Sequence, residues 1–196
     1  MKEGRMSRQK CVKLYLAGPE VFLYNAVEHA EVQRELCRQY GFIGLHPMDN
    51  NIEGMDSTYT TATKIYCGDV RQVRECDIVV ANCNSFRGLL IDDGTSYELG
   101  FCNGLGKPSY GYIRDSRSYN QRAIDTGVAA HDPGEGTFVD NQGYLLVDDF
   151  TTLINLMMQC GMTEHGGRLV VGSFEDCLKA VRSDLDAGVL ILSKKA

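Results

Sequence analysis

Four short apolar runs, each bounded by polar or turn-forming residues, divide the first part of the chain. They are CVKLYLAG (11–18), GFIGLHP (41–47), DIVVAN (77–82) and KPSYGYI (107–113). The first of these runs ends in a Gly-Pro turn. Apolar runs of this length with such boundaries are typical of buried strands. The pattern therefore predicts four strands.

Between these runs the hydrophobic spacing changes to that of helices. Asn25 and Glu28 form an N-cap pattern ahead of a helix-compatible segment that continues to Tyr40. Residues 95–105 are compatible with another helix. In the interval between the second and third strands, apolar residues recur every three or four positions, as on one helix face, at Ala62, Ile65, Tyr66, Val70 and Val73.

Strands that alternate with helices predict a parallel sheet covered on both faces, because right-handed crossovers leave few other topologies. We therefore predict a single α/β domain with a doubly wound parallel sheet. Such sheets bind ligands in the crevice at the carboxyl ends of their strands. The candidate site then lies at 15–20, 46–51, 81–93 and from Tyr112 onward.

The other segments are assigned around this domain. Residues 1–10 are predicted to be a flexible N-terminal tail, and 11–196 to form the domain. Residues 114–143 carry scattered charges and little periodicity, which predicts a long loop that acts as a lid or a contact surface. Residues 173–188 begin with a cap-like serine and end at a glycine, which predicts a C-terminal helix.

The net charge of the chain limits the kinds of molecule that it is expected to bind. The 196 residues are 43% hydrophobic and 23% charged, as in ordinary globular proteins, with a net charge of -6. An acidic chain is a poor partner for nucleic acid or an anionic membrane, so a small-molecule ligand is favoured. No segment approaches the roughly 20 apolar residues that span a bilayer. Eight cysteines without a C-x-x-C pair favour reduced, core-packing thiols and a cytoplasmic location.

Several catalytic and cofactor motifs are incomplete. Gly94-Thr95-Ser96 begins like a nucleophile elbow, but the closing glycine is replaced by Glu98. GLGKP (104–108) has proline where a phosphate-binding loop needs serine or threonine, and it precedes a strand instead of a helix. The four histidines lack metal-ligand spacing. The sequence therefore predicts neither a metal nor a cofactor.

Carboxylates are the remaining candidates for chemistry. Asp69 falls within the apolar stripe of the second predicted helix, where a bare carboxylate is costly unless it is hydrogen-bonded or faces a cavity. A partly exposed acid at the edge of the stripe is an equally good interpretation of the spacing.

Glu98 also has two interpretations. Thr95-x-x-Glu98 matches a capping box, which would make the glutamate structural. Three nearby glycines and the acids at Asp92 and Asp93 favour instead a carboxylate cluster with Asp69 at the ligand crevice. A nucleophilic carboxylate and a second acid are the groups needed for glycosyl transfer.

In several blocks the sequence resembles the nucleoside 2-deoxyribosyltransferase family. The blocks are LYLAGPEVF (14–22), HPMDNN (46–51), TATKIYCGDV (61–70), DIVVANCNSFRG (77–88), DDGTSYELG (92–100) and INLMM (154–158). The resemblance covers most of residues 12–160. It implies a flavodoxin-like fold and a double-displacement reaction on 2-deoxyribonucleosides and free nucleobases.

The resemblance also implies residue roles. Glu98 is the nucleophile at the anomeric carbon, oriented by Tyr15, and Asp69 moves the proton of the leaving and incoming bases. Asp92 binds the sugar hydroxyls, and Gly18 belongs to the substrate site through the opening Y-x-A-G-P motif. Two further residues are implied to contact substrate, namely the base-binding Asn51 and Asn155, which a neighbouring subunit of a homo-oligomer contributes.

Three alternatives stay open at this point. Related 2-deoxynucleoside 5-monophosphate N-hydrolases resemble the chain but carry serine at the position of Asp92, where a carboxylate should repel a phosphate. The same site using water as acceptor would be a nucleoside hydrolase. A catalytically silent nucleotide-binding module would have no need of Glu98, Asp69 and Tyr15 together.

Overall fold

The computed structural model of the protein describes residues 11–50, 54, 56–128, 130–131, 138–140, 142–144 and 150–192. The predicted tail at residues 1–10 lies outside this part of the chain. The strands are β1 (Val12–Ala17), β2 (Phe42–Leu45), β3 (Ile78–Asn82), β4 (Ser109–Ile113), β5 (Ala130–His131), β6 (Phe138–Val139) and β7 (Arg168–Val171). The helices are α1 (Ala26–Gln39), α2 (Tyr59–Glu75), α3 (Asp93–Gly104), α4 (Tyr119–Asp125), α5 (Leu156–Glu164) and α6 (Phe174–Asp186).

Five parallel strands form one sheet in the order β2-β1-β3-β4-β7. The predicted doubly wound α/β fold is confirmed, and so are the four predicted strands and the C-terminal helix. Ser173 caps α6 through a reciprocal capping box with Asp176. The fifth strand, β7, was not predicted, because its four residues at the sheet edge are only partly buried and give little hydrophobic signal.

Alternating side chains of the central strands supply two separate cores. Tyr15 and Ala17 of β1 face one core, which also contains Val73 of α2, Leu99 of α3 and Met162 of α5. Leu14 and Leu16, which alternate with these two residues along β1, face the opposite core together with residues of α1 and α6. Because strand side chains alternate between faces, the phenol of Tyr15 is directed to the side that carries α2 and α3.

Two predictions differ from the structure, namely the N-cap of α1 and the loop at 114–143. Asn25 occupies the N-cap of α1, but its side chain makes no capping hydrogen bond. The segment 114–143 is not a uniform loop, because it contains α4 and the antiparallel pair of β5 and β6. Ser118 caps α4, whose Arg122 donates to the carbonyl oxygen of Leu153. These short elements escaped the hydrophobic pattern because their stability depends on such polar contacts.

Polar side chains connect the carboxyl ends of three strands. The Glu20 carboxylate accepts hydrogen bonds from Asn82 Nδ2 at 2.6 Å and from the Tyr112 hydroxyl at 2.8 Å. A Cβ at Gly18 would collide with this carboxylate. The turn that follows β1 is thereby held against β3 and β4, at the edge of the sheet where a ligand is expected.

The packing of Gly111 gives a test of the core. A Cβ added there would lie 2.7 Å from Cys83 Sγ and 2.8 Å from Met162 Cε, so Gly111→Ala overpacks the interior. We expect the free energy of unfolding to fall by about 1–3 kcal/mol in urea titrations. Gly100→Ala is the matched control: it meets open space on an exposed face of α3. This substitution should raise stability by about 0.5–1 kcal/mol. Equal effects of the two substitutions would contradict the described packing.

Candidate active site

Tyr15 links the interior strand β1 of the sheet to α3. Its side chain is fully buried, and its hydroxyl donates a hydrogen bond to Oε1 of Glu98. Burial, together with the nearby carboxylates of Glu98 and Asp69, raises the pKa of Tyr15 far above its usual range. The phenol is therefore a permanent donor toward Glu98.

The N-cap of α3 is Asp92, and not Thr95 as in the predicted capping box. Asp92 is the N-cap, and its Oδ2 accepts from the Thr95 amide at 2.9 Å and from the Thr95 hydroxyl at 3.0 Å. The prediction that Thr95 caps the helix is wrong, because the helix begins two residues earlier, at Asp93, and Thr95 is buried inside its first turn. Glu98 bonds to Tyr15 instead of reaching back to Thr95.

Asp69 lies on α2 on the same side of the sheet. Its Oδ1 accepts a hydrogen bond from Asn50 Nδ2 at 2.7 Å. Burial raises the pKa of Asp69 to about 6, although the hydrogen bond from Asn50 acts in the opposite direction. Of the two interpretations of the sequence, the structure therefore favours the hydrogen-bonded acid that faces a cavity.

Glu98 is the more strongly perturbed acid. Burial is the largest cause and raises the pKa of Glu98 to about 8, with smaller contributions from the negative charges of Asp69 and Asp92. The hydrogen bond from Tyr15 favours the ionised form but does not outweigh burial. With both pKa values raised, the pair of carboxyl groups keeps a proton at neutral pH.

A cavity of about 330 Å³ between α2 and α3 contains both acids. Its wall is apolar and aromatic, which suits the face of a planar ring. Tyr66 and Tyr97 are half exposed at its rim, where their hydroxyls are 3.1 Å apart. The Tyr97 ring stacks on Phe101 with centroids 6.1 Å apart. The apolar and aromatic lining residues are Ala62, Ile65, Tyr66, Val70, Val73, Tyr97 and Phe101.

The structure brings together Tyr15, Asp69 and Glu98, with the charge of Asp92 close enough to affect Glu98. Asn155 lies elsewhere: it is exposed and caps α5, accepting from the Met157 amide at 3.0 Å. The predicted base-binding residue Asn51 lies outside the described residues.

Sequence reasoning missed two kinds of residue at this site. The first is the amide pair of Asn50 and Gln72, which contacts Asp69 through Asn50. A signal for it was present, since Gln72 follows Asp69 by three residues on one helix and so shares its face. The second is the aromatic rim: Tyr66 was counted only as part of the helix period, and Tyr97 was not singled out.

The described residues show neither a metal-binding cluster nor a membrane-spanning helix. Within that part of the chain, no group of three or more His, Cys, Asp or Glu side chains is arranged to hold a metal ion. None of its helices combines the length and apolar character needed to cross a bilayer. Five of the eight free cysteines are buried, as predicted for core thiols, while Cys11, Cys67 and Cys160 are exposed.

The raised pKa of Glu98 predicts a pH-dependent stability. Between pH 5 and 8 an unfolded chain ionises this group, whereas the folded protein keeps it protonated, so folding loses stability as the pH rises. Glu98→Gln retains an acceptor for Tyr15 and removes the ionisation. We expect wild type to lose stability relative to this variant by up to about 1 kcal/mol per pH unit, measured by urea unfolding. Glu31→Gln, on the exposed face of α1, is the control. A constant difference across this range would contradict the burial of Glu98.

Comparison with known proteins agrees with this geometry. A 2-deoxyribosyltransferase from Leishmania mexicana has a similar structure, with a TM-score of 0.64 and 25% identity over 88% of this chain and 97% of its own. The 2-deoxyribosyltransferase of Bacillus psychrosaccharolyticus shares the fold, with a TM-score of 0.56 and 19% identity over 94% and 100% of the two chains. An uncharacterised protein of Schizosaccharomyces pombe, C191.05c, is 29% identical over 187 residues, which cover 89% of this chain and 88% of the relative.

The family profile described as nucleoside 2-deoxyribosyltransferase matches residues 14–157, which include β1, α2 and α3 with Tyr15, Asp69 and Glu98. The match covers most of the chain, and the substrates implied by this family are nucleosides and bases. The chain therefore belongs to the nucleoside 2-deoxyribosyltransferase family.

Proposed function

We propose that the protein transfers a 2-deoxyribosyl group from one nucleobase to another through a covalent intermediate on Glu98. The observation that carries the proposal is the hydrogen bond from Tyr15 to Glu98, in a cavity that also contains Asp69. A carboxylate held by a phenol beside a second acid is suited to nucleophilic attack coupled to proton transfer.

In the first half-reaction, a carboxylate oxygen of Glu98 forms a bond to the anomeric carbon of the sugar. The bond from that carbon to the base nitrogen breaks, and its electron pair stays with the base. Asp69 donates a proton to the departing base, which leaves neutral. The deoxyribose lacks an electron-withdrawing 2-hydroxyl, so its cation-like transition state forms easily and is stabilised by the negative charge of Glu98.

In the second half-reaction the steps reverse. Asp69, now a carboxylate, takes a proton from the incoming base, whose nitrogen attacks the anomeric carbon and releases Glu98. Attack by water at the same stage would give free deoxyribose, the outcome of a hydrolase. The balance between transfer and hydrolysis depends on how well the second base excludes water from the cavity.

The reaction needs Glu98 ionised and Asp69 protonated at the moment of attack. Burial favours the proton on Glu98, whose pKa is raised further than that of Asp69. A sugar that develops positive charge beside Glu98 stabilises its ionised form, and the proton then belongs on Asp69. Substrate binding therefore completes the protonation state that the chemistry requires.

The aromatic rim supplies the contact for the base. Tyr97 and Phe101 form a stacked pair along α3, and Tyr66 faces them from α2. Stacking of a nucleobase on such rings is worth about 1–3 kcal/mol and tolerates different bases. In this proposal Asp92 contacts the sugar, Asn51 contacts the base, and Gly18 belongs to the substrate site. Asp92 disfavours a 5-phosphate, so the substrate is an unphosphorylated deoxynucleoside.

Chromatography of products tests the activity. Incubation with 2-deoxyinosine or thymidine should give a new nucleoside only when a second base is present. Free sugar released regardless of added base would identify a nucleoside hydrolase, and turnover restricted to 5-monophosphates would identify the related monophosphate hydrolase. The absence of turnover with any of these substrates would contradict the enzymatic proposal and favour a silent binding module.

Substitution of the two acids tests their roles. Glu98→Ala removes the nucleophile, and Asp69→Asn removes the proton carrier, so each should lower kcat by about 10²–10⁴-fold. Mass spectrometry of acid-quenched protein should find one deoxyribosyl group on a peptide that contains Glu98, and none in Glu98→Ala. Retention of activity in a folded Glu98→Ala protein would exclude Glu98 as the nucleophile.

Mixing of inactive variants tests a shared site. Asn155 is exposed at the start of α5 and Met157 beside it is 76% exposed, so both are accessible to a second copy of the chain. If Asn155 completes a neighbouring site in a homo-oligomer, Glu98→Ala and Asn155→Ala are each impaired alone. Refolded together as dimers, they should recover about a quarter of wild-type activity, because half of the dimers contain one intact site. No recovery in mixed oligomers would place Asn155 outside the site.

A further inference from the structure

Asn50 makes a directed contact with Asp69. Its Nδ2 donates to Oδ1 of Asp69 at 2.7 Å, while its own Oδ1 accepts from Gln72 Nε2 at 3.1 Å. Gln72 lies one turn after Asp69 on α2 and is buried. Because Gln72 donates to the oxygen of the Asn50 amide, the nitrogen of that amide is the end that faces Asp69.

Gly68 makes room for this amide. A glycine inside a helix costs about 1 kcal/mol relative to alanine, so its use in the middle of α2 needs a reason. A Cβ at Gly68 would lie 2.5 Å from Cγ of Asn50, which means that the Asn50 amide lies directly against the helix backbone. The close approach therefore depends on the absence of a side chain at Gly68.

The turn that presents Asn50 is fixed by polar contacts. Asp49 accepts from the His46 amide at 2.9 Å and pairs with Arg34 of α1 at 2.5 Å. His46 Nδ1 accepts from the Met48 amide at 3.1 Å. Burial lowers the pKa of His46 to about 4, so this ring is neutral at neutral pH. These contacts hold the turn that follows β2 against α1, and the turn places Asn50 beside Asp69.

We propose that Asn50, aligned by Gln72 and accommodated by Gly68, is a positioning residue that directs the catalytic proton to Oδ2 of Asp69. An amide donor at Oδ1 makes that oxygen an unfavourable place for a proton, because two hydrogens would then face each other. The proton is carried by Oδ2, the oxygen left for the base. This inference rests on the proposed acid-base role of Asp69.

The groups that face Asp69 from the surrounding elements also affect its titration. Glu98 faces it from α3 and Tyr15 from β1, and both interact with its charge. The turn 47–49 packs against α2, and its Asp49 is paired with Arg34 of α1. Loss of the Asn50 donor leaves these charged groups in place, so their effect on the titration of Asp69 is common to wild type and variants.

Carbon-13 NMR of protein labelled at the aspartate carboxyl carbons follows Asp69 directly, with Asp69→Asn used to assign its signal. We expect Asn50→Leu, Gln72→Met and Gly68→Ala each to raise the pKa of Asp69 by about 0.5–1 unit, because the donor to its ionised form is lost or displaced. Gly68→Ala is the sharpest of the three, since it keeps both amides and favours the helix. Gln39→Met, which removes a surface amide bonded to Glu35 at 3.0 Å, should leave the signal unchanged.

Kinetics complete the test. In the three variants kcat for base exchange should fall about tenfold or more, with KM for the nucleoside changed less than about twofold, and the pH profile should shift with the NMR titration. An unchanged titration of Asp69 in variants of lowered stability would overturn the proposal and leave Asn50 a structural role. A shifted titration with unchanged kcat would overturn it equally. A wild-type protein inactive on every nucleoside would remove the proposed function, while the NMR titration would still decide the contact between Asn50 and Asp69.

Discussion

The hydrogen bond from Tyr15 to Glu98 joins the middle of the sheet to the helix that carries the main acid. Burial of Glu98 favours the neutral carboxyl, whereas the hydrogen bond from Tyr15 favours the ionised form. The surrounding structure maintains that opposition: the core around Tyr15 excludes water, and the cap at Asp92 fixes the first turn of α3. Without the phenol, Glu98 would be a buried acid with no internal support for its charge.

Among the described residues, neutral donors contact the two acids. A phenol donates to Glu98 and an amide donates to Asp69, and each favours ionisation without fixing it. A guanidinium or ammonium in either place would hold its carboxylate permanently charged. A reaction that moves one proton between the site and two successive bases needs acids that exchange protonation states at low cost. The arrangement of donors is consistent with that need.

Much of this structure could be predicted from hydrophobic period alone. The strands β1, β2, β3 and β4 and the helix α2 followed from apolar runs and spacing, since burial against a sheet imposes them on a sequence. The helices α1 and α6 followed from their cap and stop residues. The edge strand β7 and the helix α4 did not, because polar contacts and partial burial stabilise them. At the site, Asp69 could be found as an acid within an apolar helix stripe, and Glu98 as an acid beside glycines and further carboxylates. Asn50 could not, because its significance comes from a contact with a helix 19 residues away in the chain.

Asp92 caps α3 and, in the proposed reaction, contacts the sugar, and these two roles tolerate different substitutions. As the N-cap of α3 it can be replaced by serine with little loss, because aspartate and serine are both good caps. As the charged group of the proposed sugar contact, Asp92 cannot be replaced by serine, because serine carries no charge. A serine at this position would preserve the helix and remove only the charge. If Asp92 contacts the sugar as proposed, a change of one residue would alter tolerance for a phosphate while Glu98 remains in place, and acceptance of phosphorylated substrates could then evolve separately from the proposed catalytic groups.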